Sequence, residues 1–291
     1  MMPQPDQEKK VILITGCSSG FGMLTAARLS TSGHHVFATM RDLESRFDLY
    51  EAVKARGGQV NFLPLDVTNH ASIKTVVSHI GSQFGNIDVL INNAGYGIGG
   101  FFEDLSDNDI RQQMEVNFYG VQNVTRQVIP FMRSKRSGKI INISSVSGFS
   151  ASPCFGAYNA SKWALEGFTE SLRQELKFFG IDVLLVEPGT YKTKIFHDNA
   201  HYAKDFSNPN SPYFLISFFL EKKTRQYVDR LRKNPEDVAR LIERLIERKD
   251  VPFRNHPDWE SRMLFISKRV LPYRLFEWLL RRGLFFDLKL P

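Results

Sequence analysis

Two stretches of this 291-residue sequence set a tyrosine four positions ahead of a lysine: YEAVK, Tyr50 to Lys54, and YNASK, Tyr158 to Lys162. A phenol is a poor base at neutral pH, because its pKa lies near ~10. A neighbouring ammonium, or the positive ring of an oxidised nicotinamide, favours the phenolate and lowers that value. Joined by a hydroxyl that holds a substrate oxygen, such a pair supports the interconversion of an alcohol and a ketone, in which a proton and a hydride move together. Ser145, thirteen residues before Tyr158, is the candidate hydroxyl. Asn117, in MEVNFYG, is a candidate to hold a water linking Lys162 to solvent. The plainer alternative for either pair is two neighbours on one helix surface.

Place decides between the pairs, and the surrounding elements set place. Apolar runs read as strands at 11–15, 34–40, 60–65, 87–92, 139–144 and 181–188. Helical patterns separate them at 21–32, 42–58, 69–85, 107–133 and 156–179. Strands with little polar alternation, separated by helices, predict a parallel sheet covered on both faces. The expected fold is therefore α/β, a doubly wound, three-layered Rossmann-type sheet. One domain is expected over 1–291, with a dinucleotide-binding core at 9–190 and a substrate lid and cap at 191–291. The cap reads as a helix at 235–248, an edge strand near 251–255 and aromatic-rich helical segments beyond. Tyr50 and Lys54 fall on an outer helix. Tyr158 and Lys162 open the helix after the fifth strand, which itself ends at Ser145, so all three converge at the carboxyl edge of the sheet.

A glycine turn, TGCSSGFG from Thr15 to Gly22, follows the first strand and opens a helix. Gly16 lets the chain leave the strand, Gly20 lets backbone N–H groups approach a pyrophosphate, and Gly22 permits close packing. The helix points its positive end at the phosphates. Ser18 and Ser19 are phosphate contacts or simple turn formers. The second strand ends on Met40, Arg41 and Asp42. Arginine there suits the 2′-phosphate of NADP and a carboxylate suits the ribose of NAD, so Arg41 favours NADP and Asp42 keeps NAD open. Asp66, in PLDVTN, reads equally as an adenine contact or a helix cap. The small residues of NNAG, Asn92 to Gly95, leave room for a cofactor.

Taken together, the chain resembles the short-chain dehydrogenase/reductase family. TGCSSGFG, NNAG, Asn117, Ser145, YNASK and the PGT of 188–190 match its motifs in order. The resemblance implies Tyr158 as acid/base, Lys162 as ribose ligand and tuner of Tyr158, Ser145 as substrate orienter and Asn117 as relay support. It implies cofactor contacts at Gly16, Ser18, Ser19, Gly20, Phe21, Gly22, Arg41, Asp66, Val67, Asn93, Ala94, Gly95, Pro188, Gly189 and Thr193, besides Tyr158 and Lys162. It also implies a homodimer or homotetramer built across the two long helices. GCSSG, ATMRDL and LEGFTESL are most similar to hydroxysteroid and retinol dehydrogenases, which implies a bulky apolar alcohol or carbonyl substrate. A regulator or scaffold that had lost catalysis would be expected to lack Tyr, Lys or Ser; all are present, so an enzyme is expected.

Composition sets further bounds. Apolar residues make up 42% of the chain and charged residues 24%, as in ordinary globular proteins. Two cysteines, Cys17 and Cys154, make no disulfide framework. No metal-ligand cluster is apparent. The polar start, MMPQPDQEKK, has no secretion signal, and no apolar run is long enough to span a membrane. A cytoplasmic protein is expected. The net charge of +7 sits entirely in residues 221–291, with 18 Lys/Arg against 11 Asp/Glu; the remainder is balanced, 38 − 18 = 20 against 31 − 11 = 20. No nucleic-acid motif accompanies that charge. The aromatic stretch FHDNAHYAKDFSNPNSPYFLISFFL is a lid over the substrate or packing on the sheet edge. ISKRVLPYRLFEWLLRRGLFF docks on its own domain or lies on a membrane surface.

Overall fold

Near-continuous apolar strands demand cover on both faces, and the chain supplies it. The computed structural model describes residues 9–193 and 201–286. Seven parallel strands form the main sheet, in the spatial order 61–64, 35–40, 11–14, 89–92, 138–143, 181–186 and 254–255. The core strands and helices alternate: β1 Val11–Ile14, α1 Gly20–Leu29, β2 His35–Met40, α2 Phe47–Ala55, β3 Asn61–Pro64, α3 His70–Phe84 and β4 Val89–Asn92. After a short β5, Ile98–Gly99, come α4 Asp107–Met114, α5 Gly120–Lys135, β6 Gly138–Ile143, α6 Gly156–Lys177 and β7 Ile181–Val186. The C-terminal part holds β8 His201–Tyr202, α7 Phe214–Arg230, α8 Glu236–Glu247, β9 Arg254–Asn255, α9 Trp259–Val270 and α10 Tyr273–Phe285.

Alternate strand residues serve opposite faces. Ile12, Ile14, Ile91, Ile141 and Leu184 pack with α1, α2 and α8. Leu13, Leu90, Ile140 and Val183 pack with α3, α5 and α6. Strand order reverses between β1 and β4, the crevice where doubly wound sheets bind ligands. Because every strand is parallel, the glycine turn, Arg41, NNAG, Ser145 and Pro188 all emerge at one edge.

The structure departs from the sequence reading in two places, the long helix and the aromatic stretch, and bears out the edge strand. The expected helix over 107–133 is two helices joined by a π-helical turn, Glu115–Tyr119. The edge strand near 251–255 forms, pairing Leu185 with Arg254 and Val186 with Asn255, so the C-terminal quarter completes the sheet. The aromatic stretch ends in the first two turns of a helix, α7, which runs on to Arg230 and buries Ser217, Leu220 and Val228. Residues 196–200 of that stretch lie outside the described residues. A third apolar cluster, including Ile98, Cys154, Ala157, Phe206 and Leu220, lies under α7 and is joined by Phe285 of α10. Cys17 and Cys154 are free, and burial pushes both thiols up to about 12, which keeps them unreactive.

Candidate active site

Ser145 leaves β6 in extended conformation, its Oγ accepting from the N–H of Ser147 at 3.1 Å. Tyr158 sits in the first turn of α6, and its hydroxyl is hydrogen-bonded with Ser145. One turn on, Lys162 Nζ donates to the carbonyl of Ile143 at 2.8 Å and lies 5.8 Å from the centre of the Tyr158 ring. The end of β6 therefore holds both the serine and the ammonium against the phenol. Tyr50, by contrast, is exposed on α2, and Lys54 is exposed with it. Geometry selects the second pair.

Burial raises the Tyr158 pKa, and the Ser145 hydrogen bond only partly offsets it. The phenol is thus neutral at physiological pH, the form that donates a proton. Burial pushes Lys162 down to about 8, with the Glu166 carboxylate pulling it back up. Asn117, 1% exposed, sits in the π-helical turn. Its amide donates to the Tyr96 carbonyl at 2.9 Å and to Ser161 Oγ at 3.1 Å, while its oxygen accepts from the Tyr96 N–H at 3.0 Å. It ties the loop after β4 to α6 one residue before Lys162. Isolated π turns often mark functional sites.

The cradle for a nucleotide is equally specific. Gly16 has φ +71°, and a Cβ there would lie 2.7 Å from the Ala94 backbone. Gly20 has φ +59° with nothing within 4 Å of where a Cβ would point, so its backbone faces open space at the start of α1. The first turn of that helix has no acidic residue. Positive backbone ends, open room and no competing carboxylate fit a pyrophosphate. A Cβ on Gly22 would strike the Asn93 side chain and the Gly16 carbonyl. Asn93 donates to the carbonyls of Thr15 and Gly16, at 3.0 and 2.9 Å, and Thr15 Oγ1 accepts from the N–H groups of Asn93 and Ala94. In the structure Asn93 braces the turn.

Arg41 is exposed at the tip of β2. Asp42 turns its carboxylate to cap the following 3-10 turn, accepting from Glu44 N–H at 2.8 Å. Asp66 accepts from the backbone and hydroxyl of Thr68 at 2.9 and 2.8 Å. Asn69, not Asp66, caps α3, accepting from Ala71 and Ser72, which corrects the cap reading of Asp66. Val67 is buried and packs against Gly120 of α5. Phe21 meets the buried Tyr191 ring edge-on at 5.5 Å, joining the glycine turn to the segment after β7. There Pro188 accepts from the Val146 N–H, Gly189 N–H donates to Asp258 at 3.3 Å, and Thr193 N–H bonds the Tyr191 carbonyl.

A buried ion cluster behind the site escaped the sequence reading. Glu166, one turn beyond Lys162, accepts from Ser144 Oγ at 2.8 Å and from Arg254 Nη1 at 2.6 Å. The same Arg254 nitrogen reaches Glu187, the fully buried residue before Pro188. Burial first, then the nearby Glu166 charge, pushes Glu187 up to about 8. His256 lies 3.8 Å from its other oxygen. The spacing of Glu166 from Lys162 was the available signal; Arg254, 88 residues away, carried none. On the substrate side, a Cβ on Gly97 would touch the Tyr158 ring at 3.4 Å. Tyr96, Phe101, Phe155, Tyr202 and Phe219 line the apolar cluster next to it.

The family description "short chain dehydrogenase" matches residues 10–203. The chain belongs to the short-chain dehydrogenase/reductase family. A 3-ketodihydrosphingosine reductase of Bacteroides thetaiotaomicron is 40% identical to it over 275 residues, 94% of this chain and 97% of the relative. A bovine retinol dehydrogenase 8 is 33% identical over 270 residues, 90% and 86% of the two chains. Among solved structures, a short-chain dehydrogenase/reductase from Burkholderia phymatum in complex with NAD superposes with a TM-score of 0.78 at 26% identity, over 99% of this chain and 100% of the other. This short-chain dehydrogenase is accordingly an oxidoreductase that binds a nicotinamide cofactor in its Rossmann fold. No described helix is long and apolar enough to cross a membrane.

Proposed function

We propose that this short-chain dehydrogenase interconverts an alcohol and a carbonyl on a bulky apolar, lipid-, steroid- or retinoid-like substrate, with NADP(H). The convergence of Ser145, Tyr158 and Lys162 beside an aromatic-lined apolar cluster carries this reading. The bound cofactor supplies or accepts the hydride. Ser145 and Tyr158 hold the substrate oxygen, and Tyr158 gives it the proton in reduction. Lys162 and Asn117 position Tyr158, and Lys162 supplies the charge that stabilises its phenolate. The glycine turn, Arg41, Asp66, Val67, Asn93 to Gly95 and the 188–193 segment would hold the cofactor, directly or by bracing its contacts. Residues 191–291 form the cap on the substrate side. A 40% identical relative named as a 3-ketodihydrosphingosine reductase supports a lipid ketone.

NADP over NAD rests on Arg41 exposed at the strand tip while Asp42 is engaged as a cap. A charge-assisted phosphate contact is worth about 1.5–3 kcal/mol. Arg41→Ala is therefore expected to weaken NADPH at least ~10-fold while leaving NADH affinity almost unchanged, read by titrating cofactor fluorescence. Equal loss of both cofactors would place Arg41 elsewhere. Turnover of 3-ketodihydrosphingosine, retinal and steroid ketones with NADPH tests the substrate class; cofactor binding without consumption of any of them would overturn it. Assembly as a homodimer or homotetramer, across α5 and α6 where Tyr119 and Trp163 are exposed, belongs to the same reading. So does a cytoplasmic protein that touches membranes peripherally through its basic C-terminus.

A further inference from the structure

We propose that α9 and α10 form an interfacial anchor that seats this protein on an anionic lipid surface. Among the described residues, each helix carries an apolar stripe that stays exposed. On α9, Trp259, Met263, Ile266 and Val270 recur at i, i+4, i+7 and i+11, the spacing of one helical face, and all four are exposed. On α10 and its C-cap, Leu275, Trp278, Leu279 and Phe286 recur at i, i+3, i+4 and i+11, and these too are exposed. The inward side of α10 is a different stripe, Phe276 with the half-buried Leu280 and Leu284. A helix that needed only to dock on its own domain would not need the second stripe.

Charge says what covers these stripes. Residues 259–286 hold six basic side chains, Arg262, Lys268, Arg269, Arg274, Arg281 and Arg282, against Glu260 and Glu277. Several cations lie against the rings of the same helices. Arg282 sits 5.4 Å from both Trp278 and Phe286, and Lys268 sits 5.0 Å from Tyr273. Stems laid along apolar surface with charged heads at its rim is how Arg and Lys sit at a bilayer interface. Arg274, Trp278, Arg281 and Arg282, with Glu277, line one open groove on the surface of α10, so guanidinium groups flank the exposed indole. A second copy of the chain is a poorer partner. A two-fold contact sets the same patch against itself, which would oppose six cations to six across one interface. An anionic lipid surface complements them.

The position of the anchor gives it a use. Phe285 of α10, like Ile216 and Phe219 of α7 and Phe155, packs against the apolar cluster that holds Ala157, the neighbour of Tyr158. Lys223 of α7 donates to the Leu284 carbonyl at 3.1 Å. The wall of the substrate side is thus also the back of the anchor, and an apolar substrate leaving a bilayer would meet it first. The docking surface rests on, and specifies, the peripheral membrane contact of the proposed function; its use rests also on the proposed substrate class, and vesicle binding is measured without any substrate.

The test is cosedimentation of the full chain with phosphatidylcholine vesicles, plain or containing about a quarter phosphatidylglycerol. Strong pelleting with the anionic vesicles, little with the neutral ones, and weakening in high salt are expected. Trp278→Glu with Leu279→Glu, both on the exposed stripe, is expected to cut partitioning at least ~10-fold while NADPH binding and the melting temperature stay unchanged. Arg274→Glu with Arg281→Glu is expected to abolish the preference for anionic lipid. Absence of pelleting above the neutral control, or pelleting indifferent to both variants, would overturn the proposal. Light scattering that shows self-association removed by Trp278→Glu with Leu279→Glu would reassign the surface to a second copy. Failure of carbonyl turnover in the same preparation would bear on the substrate reading alone.

Discussion

Tyr158→Phe is expected to leave cofactor affinity unchanged and to reduce carbonyl turnover by about 10²–10⁴-fold, the range for loss of a positioned proton donor. The substitution keeps the ring, which packs against the Gly97 backbone, and deletes only the hydroxyl. That hydroxyl is held by Ser145 and kept protonated by burial. The folded protein loses one hydrogen bond, about 1 kcal/mol, so the melting temperature should fall only a few degrees. Ser145→Ala should also lower turnover, but through a rise in KM together with a fall in kcat, because Ser145 holds the oxygen without being the proton source. Equal turnover by Tyr158→Phe and the unmutated protein would remove Tyr158 from the chemistry. A parallel loss of cofactor binding would instead make its role structural.

The second large effect concerns stability and its pH dependence. Arg254 is the shared cation of two buried carboxylates, Glu166 and Glu187. Removing one member of a buried ionic cluster typically costs about 3–5 kcal/mol, because the charge left behind stays buried. Arg254→Met should approach that loss near pH 8 and lose less near pH 6, where Glu187 can remain protonated. The sign for Glu187 itself follows from its raised pKa. Between its ordinary value of 4.5 and about 8, the folded state holds a proton that the unfolded state has released. Stability contributed by this group is therefore full below pH 4.5 and declines as pH rises toward 8. Glu187→Gln should flatten that decline, and the difference between the two proteins should grow to the order of a few kcal/mol by pH 8. His256 lies 3.8 Å from Glu187, and its contribution runs the opposite way because burial and then Arg254 lower its pKa, so the growth of the difference between pH 6.5 and 8, where folded His256 is neutral, carries the test. Denaturant melts at pH 5, 6.5 and 8 would show it; parallel curves for both proteins would mean that Glu187 is ionised throughout.

Much of the site was legible because its signals are local. The glycine turn spans eight residues between a strand and a helix, and YNASK packs phenol and ammonium into one helical turn. Their positions at the carboxyl edge followed from parallel strand order alone. What stayed hidden depends on distant pairing or on geometry without a composition. Arg254 lies on a strand of two residues, too short for any periodic pattern, and meets Glu166 and Glu187 only because that strand docks beside β7. The π turn at Asn117 looks like ordinary helix in sequence, since one extra residue per turn leaves no mark on residue type. Asp66 and Asn69 stand three apart and both suit an N-cap; only the backbone path showed that Asn69 takes it. The outer stripes of α9 and α10 were visible as basic and aromatic residues, yet which side faces the fold required the burial of Phe276.

Transfer of an isotope tests the central reading most directly. The full chain would be given NADPH carrying deuterium on either face of C4, together with 3-ketodihydrosphingosine and the other ketones, and the products weighed by mass spectrometry. The expected result is an alcohol one mass unit heavier from one of the two labelled cofactors, absent with Tyr158→Phe. Product formed without deuterium from either cofactor, or a tightly bound cofactor beside ketones that are never consumed, would contradict hydride and proton transfer at the Ser145–Tyr158–Lys162 site.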